Sequence, residues 1–267
     1  MAKLAFLGAG NLASAIVRGL IERKVCAPAD LACTSKHGES AKQLAAATGI
    51  RFEPDLARLL GAADTVVVAF KPQSLATADA RLAELTRGKL VLSVLAGKKL
   101  ATLARTFPHA RNVVRTMPNT PAAIGAAFTA YCALTPLSAD DRALVERLLG
   151  ALGHFAALDE THFDAITAVS GSGPAFLFEF VAGLRDAGVA AGLPADVAYR
   201  AALETTLGAV RLLARGDQPP EALRDKVTSP NGTTFAGLQV LATRQFRATL
   251  KETILAAAQR AGELSKD

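Results

Sequence analysis

An apolar run at residues 3–8 leads without a break into Gly8-Ala9-Gly10-Asn11-Leu12-Ala13. Residues 11–23 follow, with Leu12, Ile16, Leu20 and Ile21 on one helical face. Strand, glycine turn and helix in immediate succession restrict the fold more than any other feature of the chain. The turn fits G-x-G-x-x-G/A, with Ala13 in the third position. Gly8 permits the tight turn, and Gly10 lets the backbone approach a pyrophosphate. Unpaired N–H groups at the helix start favour negative charge there. The pattern predicts a βαβ unit and therefore a parallel sheet. Further strand candidates at residues 30–34, 65–70, 89–95, 112–115 and 128–134 agree with it, with a helix at 39–48. Ser138 caps another helix at 138–149, with Asp140 and Asp141 in its first turn. Continuous apolar runs separated by helices indicate a doubly wound parallel sheet covered on both faces.

From about residue 160 the strand signals stop, and Ala- and Leu-rich helices run to the end. This divides the chain into an α/β domain at 1–158 and an all-helical domain at 159–267. Residues 163–189 are unusually apolar, interrupted by Ser170-Gly171-Ser172-Gly173-Pro174 and carrying charge only at Asp164, Glu179, Arg185 and Asp186. A helix apolar on all faces must be buried, and the small helical domain cannot bury it alone, so a subunit interface is expected. No apolar segment approaches the ~18–20 residues that span a bilayer, so no membrane association is expected. The formal charge of +6 comes from scattered basic residues without a dense run, which gives no reason to expect nucleic acid. Cys26, Cys33 and Cys132 form no C-x-x-C pair, and His37, His109, His154 and His162 sit in no motif. No metal site and a reducing, cytoplasmic setting are expected.

Cofactor type is read at the end of the second strand. An NAD site usually places an acidic residue there for the ribose 2′-OH. Here Cys33-Thr34-Ser35-Lys36 occurs, and Ser35 and Lys36 suit a 2′-phosphate, so NADPH is favoured with NADH possible. Ala69, Phe70, Lys71 and Pro72, and then Leu95, Ala96 and Gly97, end the next two apolar strands at the carboxyl edge where ligands bind. Far along the chain, Thr228-Ser229-Pro230-Asn231-Gly232-Thr233-Thr234 carries no charge and precedes helical sequence. Such a segment suits a small carboxylate, and Ser229 at N-cap with Pro230 at N1 is the helix-capping reading.

Three segments are more specific: Arg115-Thr116-Met117-Pro118-Asn119-Thr120-Pro121, residues 163–175 around Ser170-Gly171-Ser172-Gly173-Pro174, and residues 227–234. Together, and in this order, they closely resemble pyrroline-5-carboxylate reductase, over nearly the whole chain. The resemblance implies an N-terminal Rossmann domain and an all-helical C-terminal dimerisation domain, with homodimers that can assemble into decamers. It implies reduction of the cyclic imino acid 1-pyrroline-5-carboxylate to L-proline with NADPH or NADH. Carried onto this sequence, cofactor contacts fall at Leu7, Gly8, Ala9, Gly10, Asn11, Leu12, Ser35, Ala69–Pro72 and Leu95–Gly97. Met117 and Asn119 line the nicotinamide pocket together with the turn at 170–174, where Ser170 and Gly171 also meet the substrate. Ser229, Gly232, Thr233 and Thr234 meet the substrate, with Thr234 as the catalytic hydroxyl at the imine nitrogen. Two departures stand out: Asp55-Leu56 where the family often has an asparagine, and Asn231 where it often has glycine. Asparagine tolerates positive φ, so the loop shape is expected to survive. A reductase of a related imine such as piperideine carboxylate, and a non-enzymatic NADP-binding regulator, are the alternatives. A β-hydroxyacid dehydrogenase is disfavoured because residues 160–189 contain no lysine.

Overall fold

The computed structural model describes residues 3–265. Eight strands form one sheet in the order β3-β2-β1-β4-β5-β6-β7-β8. They are β1 (Leu4–Leu7), β2 (Leu31–Thr34), β3 (Arg51–Phe52), β4 (Thr65–Val68), β5 (Leu90–Ser93), β6 (Asn112–Met117), β7 (Ala127–Ala133) and β8 (Gly153–Ala157). Between them lie α1 (Asn11–Glu22), α2 (Glu39–Thr48), α3 (Leu56–Gly61), α4 (Leu82–Leu85), α5 (Leu100–Thr106) and α6 (Ala139–Gly150). Side chains alternate across the sheet. Phe6, Val67, Leu92 and Val114 enter one buried cluster, while Leu7, Val66, Val68, Val91 and Val113 enter the other. Burial on both faces is why these strands are apolar without interruption.

All pairings are parallel except β6 with β7. The doubly wound parallel sheet expected from sequence is thus borne out, with one antiparallel pair added at β6–β7. A parallel crossover needs a dozen or more residues, usually with a helix, and the segment joining β6 to β7 is shorter. β3 and β8 were also not foreseen. β3 has two residues, and β8 lies at the sheet edge with His154 and Ala157 exposed, so neither shows a buried apolar run.

The order of neighbours reverses at β1, which pairs with β2 on one side and β4 on the other. Their carboxyl ends frame the crevice where doubly wound sheets bind ligands.

After β8 the chain is helical: α7 (Phe163–Ile166), a π-helical turn (Thr167–Gly171), α8 (Gly173–Ala190), α9 (Ala195–Arg215), α10 (Pro220–Lys226), α11 (Thr233–Thr243) and α12 (Phe246–Leu264). Two compact units result. One comprises Met1–Ser172 with Ala257–Asp267, and the other is Gly173–Ala256. The continuous helical stretch Glu160–Ala190 is long and apolar enough to cross a membrane by length and composition. This corrects the expectation that no apolar segment is long enough: the Ser-Gly-Ser-Gly interruption is uncharged and does not break the average. Within Gly173–Ala256 the apolar side chains of Leu177, Phe178, Phe180, Val210 and Val240 are exposed on the single chain.

Candidate active site

Gly8 ends β1 at φ 118°, a conformation that side chains rarely adopt. A Cβ there would lie 2.5 Å from the Ala69 carbonyl group. Gly8 N–H donates to Thr34 O at 3.0 Å, so this residue ties the ends of β1, β2 and β4 together. Gly10 differs. It is the N-cap of α1 with ordinary dihedrals, and nothing lies within 4 Å of an added Cβ. The first turn of α1 has no acidic residue. Open space in front of an uncharged helix start is what a pyrophosphate requires. Asn11 is exposed, Leu12 packs on the core and Ala9 is buried.

Beside this turn lies a cavity of about 460 Å³. Leu7, Leu56, Phe70, Ala78 and Leu82 give it apolar walls, and Ser35 and Lys36 line it too. Ser35 Oγ accepts from Ala41 N–H at 3.3 Å, which fixes the loop after β2, while Lys36 is exposed. Asp55 also lines the cavity, and its Oδ1 caps α3 by accepting from Arg58 N–H at 2.7 Å. Lys71 is exposed and Pro72 opens a short 3₁₀ turn. Leu95 is buried and Ala96 exposed. Gly97 has φ 74° and packs toward Leu264 O, 3.2 Å from an ideal Cβ.

The loop after β6 and the π-turn are joined directly. Asn119 Nδ2 donates to Ser170 O and Ser170 Oγ, each at 3.2 Å, while Asn119 Oδ1 accepts from Phe128 N–H at 3.1 Å. A Cβ at Gly171 would sit 2.7 Å from Met117 Cε, so the glycine lets the flexible end of Met117 lie against the turn. Two residues before Met117, the buried Arg115 donates from Nη1 to Glu160 Oε1 at 2.7 Å and stacks 4.4 Å over the Phe163 ring. Glu160 Oε1 also accepts from Leu100 N–H at 2.8 Å, so one carboxylate oxygen joins β6, α5 and the start of the helical region. Sequence reading placed Arg115 at the head of a family motif but missed its partners Glu160 and Phe163, which lie far away in the chain.

In the second unit, Asn231 takes φ 58° and turns the chain into α11. The N-cap of α11 is Gly232, which corrects the placement of Ser229 at N-cap and Pro230 at N1. Ser229 O instead accepts from Gly232 N–H at 3.1 Å, and the Ser229 hydroxyl fills the space a Gly232 Cβ would need. Thr233 and Thr234 are therefore the first two helical residues. Their N–H groups and that of Phe235 have no carbonyl four residues back within the helix. Both threonines are exposed, and the first turn has no acidic residue.

Comparison with known proteins follows the same division. Residues 160–264 match the pyrroline-5-carboxylate reductase dimerisation domain, and residues 3–97 match the domain described as NADP oxidoreductase, coenzyme F420-dependent. Pyrroline-5-carboxylate reductase of Synechocystis is 38% identical over 99% of this chain and 98% of its own length. The crystal structure of the Coxiella burnetii enzyme superposes with a TM-score of 0.93 at 31% identity, covering 100% of this chain and 99% of that one. The chain belongs to the pyrroline-5-carboxylate reductase family. A further relative, the Plasmodium falciparum pyrroline carboxylate reductase solved with NADP bound, has a TM-score of 0.88 at 26% identity over 99% of this chain and 98% of its own.

Within this reductase the cofactor-side residues foreseen from sequence gather at the carboxyl edge of β1, β2, β4 and β5. Met117, Asn119, Ser170 and Gly171 meet one another, and Ser229 and Gly232–Thr234 lie together at the start of α11 in the other unit. Cys26 and Cys33 are buried and Cys132 is half-buried. Burial pushes Cys33 up to about 11. Burial, with Glu160 nearby, pushes Cys132 up to about 12, so both stay protonated at neutral pH.

Proposed function

We propose that this protein reduces 1-pyrroline-5-carboxylate to L-proline with NADPH, Thr234 being the side chain that meets the imine nitrogen. The observation that carries the reading is the start of α11: an uncharged helix N-terminus, turned by Asn231 in the left-handed conformation, with Thr233 and Thr234 at its first two positions. The residues around Gly8 and Gly10 fit a dinucleotide, because the turn leaves open space before α1 and the adjoining cavity has apolar walls for an adenine.

Bound NADPH supplies a hydride. The chain's own residues do the rest. Leu7 to Leu12 hold the pyrophosphate, Ser35 and Lys36 the 2′-phosphate, and Ala69–Pro72 and Leu95–Gly97 the sugars and nicotinamide. Asn119 keeps Ser170 and Gly171 in place against Met117 at the nicotinamide side. The N–H groups at Ser229–Thr233 hold the substrate carboxylate, helped by the partial positive charge of the helix start. The Thr234 hydroxyl orients the imine nitrogen and relays its proton. A protonated cyclic imine is already electrophilic, so positioning contributes most of the acceleration and no strong acid is required.

Residues 1–158 serve as the cofactor domain and 159–267 as the substrate and dimerisation domain, a division supported by the match beginning at residue 160. The exposed apolar side chains of α8 and α11 support a homodimer, with a decamer of five dimers as the larger assembly. An interface also accounts for the apolarity of Glu160–Ala190 without a membrane, and the free cysteines suit a reducing compartment such as the cytoplasm. Expression in a proline auxotroph lacking its own reductase tests the reading. Growth without proline is expected, and failure to grow despite soluble protein would refute it.

A further inference from the structure

The cavity beside Gly8 holds two groups that neither the glycine fingerprint nor the family motifs account for. Asp79 and Arg81 line it together with Ser35, Lys36 and Asp55. Resting on the NADPH reading above, we propose that Arg81 is the second cation of the 2′-phosphate subsite, and that Asp79 keeps its guanidinium presented there.

Charge in the cavity requires such a group. Lys36 alone would face two carboxylates, Asp55 and Asp79, and a dianionic phosphate entering among them would be repelled on balance. Arg81 changes this. Its Nε lies 3.1 Å from both Asp79 oxygens and its Nη2 lies 2.7 Å from Oδ2, so Asp79 is neutralised locally. Asp79 Oδ1 also accepts from the Arg81 backbone N–H at 2.9 Å, which fixes the carboxylate against the residue it holds. That pairing uses the Nε side of the guanidinium. The Nη1–Nη2 edge is the fork that matches two phosphate oxygens, a geometry lysine cannot offer. Asp55 is restrained in another way, since its Oδ1 already caps α3. The apolar walls Leu56, Ala78 and Leu82 suit the adenine, and Arg81 immediately precedes Leu82 in the chain. Arg81 is exposed on the single chain, so its removal leaves the core untouched.

Calorimetric titration of NADPH, NADH, 2′,5′-ADP and 5′-AMP into wild-type protein, Arg81→Ala and Arg81→Lys tests the proposal without turnover. Arg81→Ala is expected to weaken NADPH and 2′,5′-ADP about tenfold or more, as for loss of a charge-assisted pair. NADH and 5′-AMP are expected to change by less than about twofold, which also shows that the variant is folded. Arg81→Lys should recover only part of the loss. Equal weakening of all four ligands would overturn the proposal and make Arg81 an adenine contact. No change for the 2′-phosphorylated pair would overturn it as well. If wild-type protein itself shows no preference for 2′-phosphorylated ligands, both the subsite and the NADPH reading fall. A preference that survives Arg81→Ala removes the subsite role alone.

Discussion

Gly8 and Gly10 belong to one fingerprint yet answer to different demands. Gly8 is structural: its φ of 118° and the Ala69 carbonyl 2.5 Å from an added Cβ leave no room for a side chain. Gly8→Ala is expected to cost about 1–3 kcal/mol in backbone strain, plus the clash, and to lower Tm. Gly10 has ordinary dihedrals and open space, so Gly10→Ala should keep Tm within a degree or two. The new methyl group instead occupies the phosphate approach, and the expected loss is in NADPH affinity. Thermal denaturation and NADPH titration of the two variants check this separation. Thr234 is the residue whose hydroxyl matters most. Thr234→Ala should lower kcat/KM on the order of a hundredfold, the size expected for loss of a positioned proton-transfer group. Cofactor affinity should remain near normal, and an unchanged kcat/KM would remove Thr234 from the reaction.

Elements are positioned by contacts that sequence periodicity does not report. The π-turn is held by Asn119, which donates to Ser170 while accepting from Phe128 N–H. Asn119→Asp keeps the acceptor but replaces the donor with a carboxylate facing the Ser170 carbonyl. A loss of about 1–3 kcal/mol is expected, read as lower Tm and reduced kcat in steady-state assays. The apolar runs of β1, β4 and β5 were legible in sequence because burial on both faces leaves a continuous signal. So was α2, found at the expected residues 39–48, where Gly38 and Gly49 flank it. β3 and β8 left no such signal, being short or half-exposed at the sheet edge. The α11 cap was misplaced by three residues because Ser-Pro is a common helix opening, and here the turn through Asn231 delays the start. The fingerprint, the Ser35–Lys36 pair and the threonine loop were readable as local chemistry. Glu160, Phe163 and Arg81 were not, since each gains its meaning from residues brought near by folding.

At the scale of the whole molecule, the Gly173–Ala256 unit leaves too much apolar surface open to be the final state. Phe178 is 67% exposed and Phe180 50% exposed, both on α8. Large apolar side chains left open in a segment that matches a dimerisation domain mark an interface. The double substitution Phe178→Asp and Phe180→Asp should weaken dimerisation by more than about thirtyfold, the loss typical of a hot-spot residue. Sedimentation equilibrium would show a dimer or a multiple of it for the native protein and a shift toward monomer for the variant. The central claim concerns chemistry, and it is tested most directly by following NADPH oxidation with purified protein and 1-pyrroline-5-carboxylate, with proline identified by mass spectrometry. Stoichiometric formation of proline, faster than turnover of the six-membered imine, is the expected result. NADPH consumption without proline, or no consumption with either imine, would contradict the account.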